Sequence, residues 1–396
     1  MFSELESLPI DPILGLMAKF REDQNPNKVD LSVGVFKDAN GHTPIFDAVK
    51  KAEAHRLETE DTKVYIGMVG TPGYNQGMLE LLLGADHSAL KAGRFSSALT
   101  PGGCGALRVA AEFLQRANKD ATVWVSDPTW ANHVPLIGGV GFELKTYPYY
   151  DKSTHGVNFD GMMDTLKKLG PNDVVLLHAS CHNPTGADLS PEQWDEVAAV
   201  AAERGFVPFV DSAYQGLGLS LEADAYGVRK VAESVEEMLL AVSCSKNFGL
   251  YRERAGLVAA MTKADVASNA IGQISSVARG MYSMPPAHGG AIVEHILHTP
   301  ELRSSWETEL EGICSSINTS RQLLKDGLKK VGALGDVDYL TENRGMFSFL
   351  DLTKEQTEQL QKEFSVYIVG SGRINLAGVT AGNIDYLAQA IKSVAG

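Results

Sequence analysis

Val174-Val-Leu-Leu-His178 and Phe206-Val-Pro-Phe-Val210 are short apolar runs of the length a buried strand takes. Between them, Ser190 stands where a helix N-cap belongs, Pro191 fits the first helical turn and Gly205 supplies the stop. Strand, helix and strand at this spacing form the unit of a parallel sheet, whose neighbouring strands need a crossover connection. The alternation continues in both directions. Upstream, a strand ends at Thr100, the turn Pro101-Gly-Gly-Cys-Gly105 opens a helix over 106–117, strands follow over 121–126 and 142–147, and a helix lies near 160–169. Downstream, Met238-Leu-Leu-Ala-Val-Ser243 and Gly256-Leu-Val-Ala-Ala-Met261 read as two more buried strands. The chain is therefore read as α/β, with a large, mostly parallel sheet covered by helices. In such sheets ligands lie beyond the carboxyl ends of the strands.

The flanks differ. Asp11-Pro-Ile-Leu-Gly-Leu-Met-Ala-Lys-Phe20 reads as a short helix, and Lys28-Val-Asp-Leu-Ser-Val-Gly-Val35 as a strand with a glycine where something approaches the backbone. A helix is predicted over 46–57 and a glycine-rich loop over 67–77. Residues 301–332 read as one long amphipathic helix or a kinked pair. Segments 346–350, 366–369 and 373–376 look like strands of a smaller α+β unit, on which the N-terminal segment packs. The expected division is an arm with part of the small domain over 1–40, a large domain over 41–310 and a small C-terminal domain over 311–396.

The formal net charge of −14 argues against nucleic acid or an anionic membrane as partner. The start, Met1-Phe-Ser-Glu-Leu-Glu6, lacks a signal peptide's basic region and apolar core, and no run reaches the length of a membrane span. Cys104, Cys181, Cys244 and Cys314 are far apart, with no CxxC pair, so neither a disulfide framework nor a metal site is expected. These features predict a soluble cytoplasmic protein.

Ser243-Cys-Ser-Lys246-Asn-Phe-Gly-Leu-Tyr-Arg-Glu-Arg254 begins where a buried strand ends. A lysine there is half out of water, and desolvation favours its neutral amine, which can form a Schiff base with an aldehyde. Ser243, Ser245, Arg252 and Arg254 nearby can hold a phosphate. Together they suggest a phosphorylated aldehyde, pyridoxal phosphate. Alone, the cluster reads equally as a solvated loop, and its partners elsewhere decide. Asp211 ends an apolar strand, where a carboxylate is costly unless paired with a cation such as a pyridinium N–H. Tyr214 and Asn183 can donate to a ring oxygen, and Trp130 offers a face for stacking. His133 and His178 are candidates for orienting Asp211, though each alone reads first as a structural histidine. The glycine turn 102–105 suits a phosphate at a helix N-terminus. It is no dinucleotide motif, since Arg108 occupies the third glycine position of GxGxxG after Gly103 and Gly105, and no GxxxxGK[ST] occurs. Arg373, in a glycine loop, has the fork that grips an α-carboxylate, and Arg279 can take a second one.

These residues and their order are identified as those of the class I, fold-type I pyridoxal phosphate aminotransferases. The chain resembles in particular the bacterial aspartate and aromatic amino acid aminotransferases. The resemblance runs from Asp11-Pro-Ile-Leu-Gly15 through Gly34-Val-Phe-Lys-Asp38, His182-Asn-Pro-Thr-Gly186, Asp211-x-Ala-Tyr-Gln-Gly216, Ser243-x-Ser-Lys-Asn-Phe-Gly-Leu-Tyr-x-Glu-Arg254 and Tyr282-Ser-x-Pro-Pro286 to Ser371-Gly-Arg-Ile-Asn375. It implies a seven-stranded type of sheet, Lys246 as Schiff-base lysine and proton carrier, and Asp211 on the pyridine nitrogen. Asn183 and Tyr214 would meet the ring oxygen, and Trp130 would stack. Gly103, Cys104, Ser243, Ser245 and Arg254 fall at the phosphate, joined by Tyr65 from a neighbouring subunit. Gly34, Asn183 and Arg373 fall at the α-carboxylate, and Arg279, donated across a homodimer, at the side-chain carboxylate. Cys104, Cys244 and Ser212 depart from the pattern. Cys104 is expected to weaken cofactor retention, and the other two to loosen packing.

The expected reaction is ping-pong transfer of the amino group of aspartate to 2-oxoglutarate, because two arginines would read a dicarboxylate. Tyrosine or phenylalanine as donor is the alternative. A pyridoxal phosphate lyase, a ligand-sensing regulator and a nucleotide-dependent enzyme are the rivals. Arg279, the short acidic N-terminus and the missing nucleotide motifs weigh against them in turn.

Overall fold

The computed structural model describes residues 2–6, 12–38 and 41–395. In chain order its strands are β1 (Val29–Asp30), β2 (Phe95–Pro101), β3 (Thr122–Asp127), β4 (Glu143–Pro148), β5 (Tyr150–Asp151), β6 (Gly156–Val157), β7 (Asp173–His178), β8 (Val207–Ser212), β9 (Met238–Ser243), β10 (Ala255–Met261), β11 (Phe347–Phe349), β12 (Val366–Tyr367) and β13 (Arg373–Asn375). Seven of them form the central sheet in the order β2-β10-β9-β8-β7-β3-β4. All neighbours are parallel except β10, which runs antiparallel to both β9 and β2. The mostly parallel seven-stranded reading therefore holds.

Both faces are buried along the strands β7 to β10, while the edge strand β4 is largely exposed, and side chains alternate between the faces as the period of two requires. On β9, Met238, Leu240 and Val242 join one apolar cluster, while Leu239 and Ala241 join another. The second cluster is closed by the helix Gly102–Ala117 and by Ile274 and Val277 of the helix Ala267–Met281. The crossover helix Pro191–Arg204 starts at Ser190, with a reciprocal capping box to Gln193, and stops at Gly205 at φ +77°.

A third apolar cluster joins Val29 and Leu31 to Leu350, Val366, Ile374, Leu376 and the helix Ile384–Ala395. There β1 pairs in parallel with β12, and β11 with β13 in antiparallel fashion. The segment 301–332 is a single helix, Pro300–Val331. Its Trp306, Leu310, Ile313 and Ile317 lie in the large core, and its Leu324 and Leu328 in this smaller one.

Three local readings are corrected. The stretch 67–77 is not all loop, because Pro72–Leu83 is a helix whose N-cap is Thr71. Its glycines serve close packing: a Cβ on Gly73 would lie 2.1 Å from Glu294 Oε1, and one on Gly77 would lie 3.2 Å from Leu297 Cδ1. The turn at Gly102–Gly105 is already the first turn of its helix. The strand predicted over 28–35 pairs only at Val29 and Asp30, since beyond them the backbone leaves its partner and runs past a cavity that Gly34 helps to line. The helix read over 11–20 spans Pro12–Glu22, and Asp11 lies outside the described residues.

Gly256 sits between Ser243 and Thr100 in the sheet, and a Cβ there would lie 2.5 Å from the carbonyl carbon of Gly102. Gly256→Ala is expected to cost about 1–3 kcal/mol through backbone displacement, against about 1 kcal/mol for the cap variant Ser190→Ala. Urea unfolding midpoints compare them; an undisturbed Gly256→Ala would show that the Gly102 turn yields freely.

Candidate active site

The carboxyl ends of β7, β8 and β9 and the first turn of the helix Gly102–Ala117 surround a cavity of about 290 Å³. Register places Asp211 level with His178 on β7 and Ala241 on β9, so groups far apart in sequence meet at one sheet end. Lys246 follows the end of β9 by three residues, and its Nζ lies 4.8 Å from the centroid of the Tyr214 ring. No ion pair to this amine occurs among the described residues. Burial holds its pKa below the ordinary lysine value, an effect that the charge of Asp211 opposes.

Burial acts to raise the Asp211 carboxyl, but the His133 hydrogen bond and charge, joined by His178 and Lys246, together outweigh it, and the result lies below the usual carboxylate range. His133 Nε2 is 3.0 Å from Asp211 Oδ2, and its Nδ1 is 2.9 Å from Thr129 Oγ1. Thr129 Oγ1 is in turn 3.1 Å from Nε2 of His178. Burial pushes His178 down to about 3, so it is neutral in this chain of bonds. His133, fully buried, thus fixes Asp211 directly, and His178, half-buried at the cavity wall, holds the Thr129 hydroxyl behind it. Tyr214 is pushed up by burial, and further by Asp211. It remains a phenol able to donate. Asn183 lines the same wall with a buried Oδ1 that has no partner, and Trp130 lines another wall edge-on to His133.

A second corner is built for an anion. The helix Gly102–Ala117 brings unsatisfied N–H groups to it. Gly102 has φ +72°, and a Cβ there would lie 2.4 Å from Arg254 Nη2; on Gly103 it would lie 2.9 Å from Ser243 Cβ. Glycine is therefore required for helix, arginine and serine to converge. Arg254 Nη1 donates to Tyr251 O at 3.0 Å, and no carboxylate pairs with the guanidinium among the described residues. Ser243 and Ser245 line the corner, with Ser243 Oγ accepting Ser245 N at 3.2 Å. Cys104 also lines it, its Sγ 3.7 Å from Asn132 Nδ2. Arg252 is exposed and does not line the cavity, so the expected pair of arginines is a single one.

Across the cavity stands Arg373, 7% exposed, its guanidinium carbon 4.6 Å from the centre of the Phe347 ring. Nη2 donates to Ser32 O at 2.7 Å, while Nε is buried without an acceptor. No carboxylate faces this cation among the described residues, which suits it to an anionic ligand. Gly34 lines the cavity beside it.

Two expected residues are elsewhere. Tyr65 is 86% exposed, and Arg279 is exposed with Nη1 donating to Ser283 Oγ at 2.7 Å. Neither lines the cavity of its own chain. Conversely, Ile13, Leu107, Tyr251 and Phe347 line it without having been singled out. Tyr251 lies inside the quoted lysine motif; the three apolar side chains carry no polar atom to flag them. Cys244 is fully buried, with Sγ 3.4 Å from Tyr74 Oη and 3.8 Å from Met78 Sδ, so the expected loosening is absent there. Ser212 Oγ, by contrast, is buried without a partner.

Known proteins match this chain along its whole length. The family "Aminotransferase class I and II" matches residues 26–391, and the chain belongs to it. It is 44% identical over 395 residues to the aspartate aminotransferase of Haemophilus influenzae, spanning 100% of both chains. It is 46% identical over 396 residues to the aromatic-amino-acid aminotransferase of Paracoccus denitrificans, again over 100% of both. The crystal structure of an aromatic-amino-acid aminotransferase from Burkholderia pseudomallei, covalently bound to pyridoxal phosphate, matches with a TM-score of 0.97 at 44% identity, with 100% of each chain covered. No helix among the described residues is long and apolar enough to cross a membrane.

The Lys246 shift carries a sign. Burial lowers the pKa and Asp211 opposes it, so Asp211→Asn should lower it further. Reductive methylation of Lys246 in cofactor-free protein, followed by mass spectrometry, should plateau at lower pH than for exposed lysines, and at lower pH still in Asp211→Asn. A profile that moves upward in the variant would contradict this coupling.

Proposed function

We propose that the chain is a pyridoxal phosphate-dependent aminotransferase that moves the amino group of L-aspartate to 2-oxoglutarate. The observation that carries this reading is one cavity lined by a half-buried lysine and a buried carboxylate between two arginine forks, the lysine amine and both forks having no ion-pair partner among the described residues. The cofactor fits the groups present. The glycine cradle beside Arg254 leaves no room for a Cβ, and Asn183 and Arg373, each with a buried polar atom that lacks a partner, line the same cavity.

When bound, pyridoxal phosphate supplies an aldehyde that takes up an amino group and a ring that accepts the electrons released at Cα. Lys246 would hold the aldehyde and, once freed, carry the proton from Cα. Asp211, kept ionised by His133, would hold a proton on the ring nitrogen. Tyr214 and Asn183 would bond the ring oxygen, and Trp130 would cover one face. Gly103, Cys104, Ser243, Ser245 and Arg254 would hold the phosphate, with most of the hold coming from N–H groups and the guanidinium. Arg373, with Asn183 and Gly34, would orient the α-carboxylate. Because donor and acceptor share this cavity, the two half-reactions alternate in ping-pong fashion.

Tyr65 and Arg279 enter as residues given to the partner's cavity in a homodimer, which is supported by their exposure and by their absence from their own. Arg279 would there meet the side-chain carboxylate of aspartate or 2-oxoglutarate. A second reading, tyrosine or phenylalanine as donor, is supported by the apolar wall of Ile13, Leu107 and Phe347 and by the aromatic-amino-acid relatives. The proposed division keeps an arm and part of the small domain at 1–40, the large domain at 41–310 and the small domain at 311–396; the separate cluster around Leu31, Val366 and Ile374 supports it. Four free cysteines fit a reducing cytoplasm.

Added pyridoxal phosphate should give a visible absorption band that shifts with aspartate and is missing in Lys246→Ala, and borohydride should abolish the band while leaving the cofactor covalently attached to Lys246. A protein that stays colourless would overturn the reading. Arg373→Ala should lower kcat/KM for aspartate about 30-fold or more, as expected for a desolvated charge pair. The ratio of kcat/KM for aspartate and phenylalanine decides the donor, and a large excess for phenylalanine would make the aromatic amino acid the primary one.

A further inference from the structure

Asp30 does not line the cavity, yet a short series of bonds ties it to the arginine that does. Its carboxylate, 7% exposed, gathers three donors. Oδ1 accepts Ser32 N at 3.0 Å and Ser32 Oγ at 2.7 Å, and Oδ2 accepts Lys37 Nζ at 2.8 Å. The first bond closes residues 30–32 into an Asx turn. The last draws the far end of the segment 31–37 back to its origin. Burial acts to raise the Asp30 pKa, but the Lys37 and Ser32 bonds outweigh it, and the group stays ionised.

What the turn aims is the Ser32 carbonyl, which accepts Arg373 Nη2 at 2.7 Å. Ser32 itself is fully buried, so its peptide group has no water to turn to. The segment is rooted in the strands around Arg373: Leu31 N donates to Tyr367 O at 2.9 Å, and Leu31 O accepts Asn375 N at 2.8 Å. Further along, the Asn375 side-chain amide donates to Val33 O, and to Val35 O at 2.9 Å. A Cβ on Gly34 would lie 3.0 Å from Cζ of Phe347, the ring beneath the Arg373 guanidinium. One nitrogen of Arg373 is thus pinned from behind while Nε is left without an acceptor.

We infer that Asp30 is a positioning residue for Arg373. By fixing the Ser32 carbonyl on Nη2, it sets the plane of the guanidinium, so that the remaining donors meet a substrate carboxylate without first losing rotamer freedom. Loss of the carboxylate leaves Ser32 N buried without an acceptor and frees Lys37, and the carbonyl is then held only by the chain around it. The inference rests on the reading of Arg373 as the carboxylate-binding arginine.

The test uses cofactor-loaded enzyme and succinate, a dicarboxylate with neither amino nor oxo group to react, titrated by calorimetry. Asp30→Ala should weaken succinate binding about tenfold or more, while Asp30→Asn, which keeps an acceptor for both Ser32 donors, should stay within about threefold of the parent. Asp30→Leu fills the site without acceptors and should match the alanine variant, which guards against a folding failure of either one. In an Arg373→Ala background, Asp30→Ala should cause no further loss. Unchanged affinity in Asp30→Ala or Asp30→Leu, an equal loss in Asp30→Asn, or an equal loss with and without Arg373 would each overturn the inference. If Arg373→Ala alone leaves succinate binding intact, the carboxylate reading of Arg373 itself has failed, and that result stands apart from the others.

Discussion

A sheet buried on both faces can hold charge only past the ends of its strands, because a charge within either apolar layer would be stripped of water without a partner. β7, β8, β9 and β10 consist almost wholly of buried residues. Everything reactive in this protein follows from where those strands stop. Asp211 is in the next-to-last position of β8, Ser243 is the last residue of β9, and Lys246 and Arg254 lie on the connection from β9 to β10. Parallel pairing of β7, β8 and β9 puts those endings side by side, so the fold itself assembles the site.

Within that site, burial and charge oppose one another in a graded way. Lys246 loses hydration and its ammonium becomes less favourable, yet Asp211 limits the loss. Asp211 would itself be driven toward neutrality by burial, and His133 prevents it. The half-buried hydroxyl of Thr129 links His133 to a neutral His178, so the ring that supports the carboxylate is itself held in place. Arg254 and Arg373 lack any such compensation, which leaves their positive charge directed at whatever enters.

Much of this was legible in residue order, for identifiable reasons. Strands buried on both faces are continuous apolar runs, so β7 and β9 could be bounded closely; Ser190, Pro191 and Gly205 marked their helix by capping chemistry. Lys246, Asp211 and Arg254 stood out because polar groups at the ends of apolar runs need a purpose. Less visible was whatever depended on distant packing. Gly73 and Gly77 suggested a loop, whereas they are small because Glu294 and Leu297 press against their helix. Ile13 and Phe347 reach the cavity from elements remote in sequence, with no polar atom to draw notice. Arg252 and Arg254 looked equivalent in the motif, and only the chain path, with Arg254 at φ +55°, turns one inward and leaves the other in solvent.

The helix Pro300–Val331 has a mechanical consequence. Its 32 residues make a rod about 48 Å long at 1.5 Å per residue. One end is anchored by Trp306, whose Nε1 donates to the carbonyl of Asn247, next to Lys246. Further along, in its last third, Arg321 donates through its guanidinium to the carbonyls of Leu340, Arg344, Gly345 and Phe347. A rod held at two such points ties the two cores together along its length. The lysine loop and the Phe347 strand, on opposite sides of the cavity, therefore share one lever.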